Sequence, residues 1–189
     1  MIRCRILRFT VSSCAAFLLA LQPTLVKAEG AAASEHAVKA ALIFKLAKFV
    51  SWPDSAYSGL SEPLSVCVQK SDPIVAALST LSGKPIHGRA FSVRYFDNSP
   101  FISTDCQILF VSNVSSERPT ALLNEISNQP VLTIIDNVNS AHQDGIIGLK
   151  IKQNRVQFEI NIAASETAGL DISAQLLQLA KITDNRQGT

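Results

Sequence analysis

The chain has 189 residues, 47% hydrophobic and 17% charged, with a formal net charge of +2. That is enough for one domain with a real core, and no internal repeat, low-complexity tract or linker divides it. The positive balance belongs to the first 28 residues: without Arg3, Arg5, Arg8 and Lys27, 13 Lys and Arg face 15 Asp and Glu, a balance of −2 over 161 residues. Charge therefore gives no case for nucleic acid or anionic lipid as a partner.

Residues 1–28 read as an export signal. Arg3, Arg5 and Arg8 form a basic start, residues 11–21 an apolar core, and Val26-Lys27-Ala28 the short side chains that a signal peptidase reads. Cleavage is expected after Ala28, delivering the protein to the periplasm, with 29–33 as a flexible tail and 34–189 as the folded domain. Val11-Ser12-Ser13-Cys14 offers a lipoprotein box as a rival, but the apolar core follows Cys14 where such a box needs it before. The apolar run is shorter than the roughly 20 residues of a membrane span, and no later stretch is long enough.

Ser34 can cap a helix over 34–50, with Glu35 near its positive end and Lys45 and Lys48 near its negative end. Eleven of these seventeen residues are apolar, and Lys39, Lys45 and Lys48 do not gather on one side, so the helix should be buried over most of its surface, by its own domain or by a partner. Pro53 ends it. Trp52 reads as a core plug at the helix end, with a ligand platform as the alternative. Residues 64–69 read as a strand. Asp72-Pro73 opens a helix to about Leu81, which Gly83 ends. Residues 90–96 alternate as a second strand, and 107–112 form an apolar run suited to a strand buried on both faces. Ser116 or Thr120 caps a helix to about Ile126, and 131–136 is a further buried strand. Residues 145–152 and 155–162 flank Gln153-Asn154, a hairpin turn. The last segment reads as a small-residue bend over 163–169, then a single amphipathic helix carrying Ile172, Leu176, Leu177, Leu179, Ala180 and Ile182. The order predicts an α/β single-domain layered sandwich: a largely parallel central sheet, a C-terminal antiparallel hairpin, and helices on both faces.

Cys67 and Cys106 lie beside predicted strands, and an oxidising compartment would bridge them; two buried free thiols are the alternative. No nucleophile elbow, zinc-protease motif, phosphate loop or dinucleotide fingerprint is present. Asp136, His142 and Asp144 make the best metal-like cluster, yet Asn137, Asn139 and Gly145 around them read as an ordinary polar turn, so no metal and no cofactor is expected. Glu159 and Asn161 sit on the polar phase of their strand, either as a solvated sheet face or as a polar contact site.

Two blocks carry a resemblance. The run Lys39-Ala40-Ala41-Leu42-Ile43-Phe44-Lys45-Leu46-Ala47-Lys48-Phe49-Val50-Ser51-Trp52-Pro53 resembles the opening block of the YfiR family. Phe158-Glu159-Ile160-Asn161, Ala168-Gly169-Leu170-Asp171-Ile172-Ser173 and Leu176-Leu177-Gln178-Leu179-Ala180 resemble its closing block. The resemblance covers essentially the whole chain after the leader. It implies a periplasmic α/β protein without enzyme activity that binds the periplasmic domain of an inner-membrane diguanylate cyclase, YfiN in the best-known member, and represses cyclic di-GMP synthesis. It also implies sequestration by a YfiB-like outer-membrane lipoprotein. Cys67 and Cys106 match a family disulfide; a second family pair is absent, with Ala141 and Gly148 near its positions. On this reading Glu159 and Asn161, with Ile147 on the facing hairpin arm, form the partner-binding site: an apolar anchor beside a carboxylate. Oligomeric state, monomer or homodimer, is left open by the sequence. Two other classes stay open as well: a small-ligand binding protein, with a pocket at the carboxyl ends of 131–136 and 107–112, and a hydrolase with a nucleophile and base meeting there.

Overall fold

The computed structural model describes residues 32–97, 105–112, 123–136, 145–152 and 155–183. The expected export signal and its cleavage point, Cys14, residues 29–31 of the tail, the caps at Ser116 and Thr120, Asn137, Asn139, Ala141, His142 and Asp144, and the Gln153-Asn154 turn lie outside them.

Helix α1 (Ala32–Ala47) comes first. Ala40, Ile43, Leu46 and Ala47, spaced by three and four or adjacent, are at most 1% exposed and form one apolar stripe. Phe44, one side of that stripe, meets Phe91 edge-to-face at 5.4 Å, and the Lys48 ammonium lies 4.8 Å from the centre of the Phe44 ring. The burial is one-sided: Ala37, Ala41 and Lys45 are exposed, and Val38 is 48% exposed. Strand β1 (Val50–Ser51) and a 3-10 turn (Asp54–Ala56) follow. Between them Trp52 is half-buried against the core, as a plug, and its indole N–H donates to the Gln107 carbonyl at 3.0 Å.

The remaining elements are β2 (Leu64–Gln69), α2 (Val75–Ser79), β3 (Pro85–Ile86), β4 (Arg89–Phe96), β5 (Ile108–Val111), a helical turn α3 at 123–126, β6 (Leu132–Asp136), β7 (Ile147–Lys152), β8 (Arg155–Asn161), α4 (Ile162–Thr167), β9 (Asp171–Ile172), α5 (Ala174–Leu177) and β10 (Lys181–Thr183). Eight strands form one sheet in the order β10-β8-β7-β6-β5-β2-β4-β3, while β1 and β9 pair antiparallel as a small second sheet. Strands β4, β2, β5, β6 and β7 are mutually parallel; β8 turns back antiparallel on β7, and β3 is antiparallel to β4. This is the mixed α/β, largely parallel architecture with a C-terminal antiparallel hairpin that the order of elements predicts. Among the parallel strands the second to appear lies outside the first, the doubly wound order whose switch point falls between β2 and β5.

One face of the sheet packs Val66, Val68, Ile108, Phe110, Ile134, Ile147, Leu149 and Ile160 into a core shared with α1 and α2. The other face packs Cys67, Leu109 and Ile135 under Leu123 and Ile126 of α3. Cys67 and Cys106 are bridged, with Cα atoms 5.8 Å apart and both residues buried. The bridge ties β2 to the approach to β5 across 39 residues, which in the chain-entropy model stabilises by about 4 kcal/mol.

The C-terminal segment differs from the expected bend and long helix. Residues expected as a bend form α4, whose run of Ala and Ser with a capping Asn161 suits a short helix; Gly169, at φ +68°, ends it in the left-handed conformation. Ile172 leaves the helical pattern because it pairs with Val50, and Ser173 then caps a helix of only four residues. The chain re-enters the sheet as β10, parallel to β8, so Leu179 is 75% exposed and Ile182 43% exposed where a continuous amphipathic helix would bury both.

Candidate functional site

Strand β8 sorts its side chains by alternation. Phe158 and Ile160 point into the α1 core; Gln157, Glu159 and Asn161 take the opposite face. Across the ladder Glu159 faces Gly148 on one side and Lys181 on the other, and Gln157 faces Lys150. Gly148 adds no side chain, so the Glu159 carboxylate lies over open sheet, held at 2.8 Å by the Lys181 ammonium. Lys181 is well exposed and Glu159 about a quarter exposed, so this pair contributes little stability, about 0–1 kcal/mol. Lys150 and Gln157 are exposed beside it. Among the side chains described, the face thus offers two ammonium groups and one fixed carboxylate without using them in the core.

Asn161 shares that phase but has a different job. It is only 7% exposed, its side-chain oxygen accepts the Ala164 N–H at 3.0 Å, and it thereby caps α4. Ile147, expected beside these residues as an apolar anchor, pairs with Ile160 and points to the other face, with no exposure at all. Glu159 and Asn161 are therefore brought together and Ile147 is separated from them by the thickness of the sheet. The reason is phase: Gly148 and Ile146, rather than Ile147, share their face.

A cleft of about 250 Å³ opens one row below Glu159, between α3 and α4 over the amino ends of β6 and β7. Ile126, Val131, Ile146 and Ala164 give it apolar walls, and Thr133 and Asn161 contribute polar atoms to its floor. The ligand-binding alternative places a pocket at the carboxyl ends of the strands; this cleft is at the opposite end.

At the carboxyl ends, Asp72 and Asp136 are engaged by the fold. Asp136, the last residue of β6, accepts from Lys39 of α1 at 2.6 Å, and Lys39 also reaches Glu35 at 2.7 Å. Burial alone would lower the Lys39 pKa, but the hydrogen bonds and charges of the two carboxylates outweigh it and hold the pKa above its ordinary value; the same ammonium draws Glu35 below the usual carboxylate range. At the switch point Asp72 accepts from the Ser112 hydroxyl and, through its other oxygen, from the Ile74 N–H at 2.9 Å, fixing the entry to α2. Asp136 of the metal-like cluster is thus paired with an ammonium. No group of three or more His, Cys, Asp or Glu among the described residues is placed to hold a metal.

Two residues escaped the reading of the sequence. Gln107, 1% exposed, accepts from the Ser65 N–H at 2.8 Å, donates to Ala56 O at 2.7 Å, and offers its carbonyl to Trp52, so it stitches the loop after α1 to the sheet. It looked like one polar residue at the edge of an apolar run. Lys39 had a legible signal, because it is in register with Ile43, Leu46 and Ala47 on the buried side of α1 and four residues after Glu35.

What this arrangement offers is a surface for binding: a polar, partly charged sheet face beside a cleft whose described lining is uncharged. No curated protein matches the chain. The model of the YfiR/HmsC-like family matches residues 36–181, from the second turn of α1 to the first residue of β10, and takes in the other seven strands of the main sheet and both Glu159 and Lys181. The chain belongs to the YfiR/HmsC-like family.

Proposed function

We propose that the protein is exported and acts without enzyme activity of its own, binding the periplasmic domain of an inner-membrane diguanylate cyclase and repressing cyclic di-GMP synthesis. The observation that carries this is the family match over residues 36–181, which includes both sequence blocks on which the resemblance rests. Two facts are in keeping with it. No helix among the described residues is long and apolar enough to cross a membrane. The chemistry-bearing carboxylates Asp72 and Asp136 are engaged in fixing the fold.

The mechanism needs differential affinity. A regulator that binds the inactive arrangement of a cyclase more tightly than the active one shifts the population by that difference and does no chemistry. The Glu159 face is the surface we assign to this contact, with Lys150 and Lys181 selecting the partner's charge pattern and Asn161 fixing α4 at its border. Ile147 supports it from beneath, as the core partner of Ile160. A YfiB-like lipoprotein would compete by occupying the regulator. The test is affinity purification of the mature protein from a crosslinked periplasm and membrane fraction of its native cell. Recovery of a membrane protein with a cyclase domain is expected. Recovery of transporter subunits alone, or unchanged cellular cyclic di-GMP on deletion of the gene, would contradict the reading.

A further inference from the structure

We propose that the cleft between α3 and α4 is a binding site for a small neutral molecule, ring-sized and mainly apolar, that carries one hydrogen-bond acceptor. The argument rests on the lining. None of the described residues that line the cleft is charged, so an ionic ligand would give up its hydration to them for nothing in return. The walls are aliphatic, from Leu123, Ile126, Val131, Ile146 and Ala164. The volume, about 250 Å³, exceeds the roughly 150 Å³ that suffices for benzene in an engineered apolar cavity, and it leaves room for a substituted ring.

The polar atoms decide what else the ligand carries. Ser127 donates its hydroxyl proton to Asn124 O and Thr167 donates to Ala163 O, each within its own helical turn. Asn161 is committed to capping α4. Thr133 is different. Its hydroxyl oxygen, on a residue 5% exposed, accepts the Ile146 N–H at 2.7 Å, which orients it and leaves its own proton to donate. Among the described residues none takes that proton. A carbonyl or ether oxygen on the ligand would complete it, so the site prefers an apolar ring bearing such an acceptor over the plain hydrocarbon.

The experiment uses the purified mature protein alone, with no cyclase, so its outcome is independent of the partner reading. Amide chemical shifts are followed while acetophenone, ethylbenzene or benzoate is titrated. Acetophenone is expected to move the amides of Thr133, Ile146 and residues 163–168, and to bind at least about tenfold more tightly than benzoate and severalfold more tightly than ethylbenzene. Ala163→Phe and Thr167→Leu, which fill the cleft from the first and last turns of the same face of α4, should each weaken acetophenone binding at least tenfold while thermal unfolding confirms that the variant read is folded. No saturable shifts at these amides, benzoate binding as well as acetophenone, or folded cleft-filling variants that bind like wild type would each overturn the proposal.

Discussion

Lys39 carries a charge on the side of α1 that the rest of the helix devotes to Ile43 and Leu46, and only the Asp136 and Glu35 carboxylates make that tolerable. Lys39→Met removes the ammonium and leaves the nearly buried Asp136 carboxylate unpaired, at an expected cost of about 3 kcal/mol in urea unfolding at neutral pH. The pH dependence follows from the raised pKa. The stabilisation is complete below the unfolded value near 10.5 and is lost as pH rises through the higher folded value. The gap in melting temperature between wild type and Lys39→Met should therefore hold from neutral pH to about pH 10 and close above it. A gap unchanged in strong alkali would mean that Lys39 stabilises by packing alone. Residues like this one were only half legible. The helical phase of Lys39 was on the page, but its partner Asp136 is 97 residues away, and sequence periodicity carries no information across that distance.

Elements were read well where one pattern filled a whole segment. Strand β2 has the bounds of the apolar run 64–69, and the antiparallel β7–β8 pair follows from two alternating arms. The C-terminal segment failed because three short elements shared apolar residues at helix-like spacing: Ile172 belongs to a strand, Leu176 to a helix of four residues, and Ile182 to the edge strand. Two substitutions distinguish the layouts. Leu176, 3% exposed, should cost about 2–5 kcal/mol as Leu176→Ala, whereas Leu179→Ala, at a position 75% exposed, should stay within about 0.5 kcal/mol. In one continuous helix with both leucines on its buried face, equilibrium unfolding would report comparable losses.

For the whole molecule, the sheet divides its work. Its centre is held by the parallel strands and by the Cys67–Cys106 bridge, and its C-terminal margin leaves Glu159, Lys150 and Lys181 outside the core. Replacing both cysteines by alanine should lower stability by about 2–5 kcal/mol, read as a shift of the urea midpoint that reductant reproduces in wild type but not in the variant. Strand phase was legible at Glu159 and Asn161, which share the side of β8 opposite Phe158 and Ile160 and on which the proposed contact rests. Ile147 was misplaced on the same grounds, being the register partner of Ile160. The cleft had no sequence signal, since its walls come from four separate elements.

The central claim is that the Glu159 face binds and restrains a cyclase. Glu159→Lys reverses the one fixed negative charge between Lys150 and Lys181 and touches nothing in the core, so its stability should stay within about 1 kcal/mol of wild type. The deciding measurement is intracellular cyclic di-GMP in cells carrying the cognate cyclase, with wild-type or Glu159→Lys protein supplied at equal periplasmic levels. Wild type should lower cyclic di-GMP and Glu159→Lys should leave it near the level of the deletion strain. Equal repression by the two proteins would contradict the account.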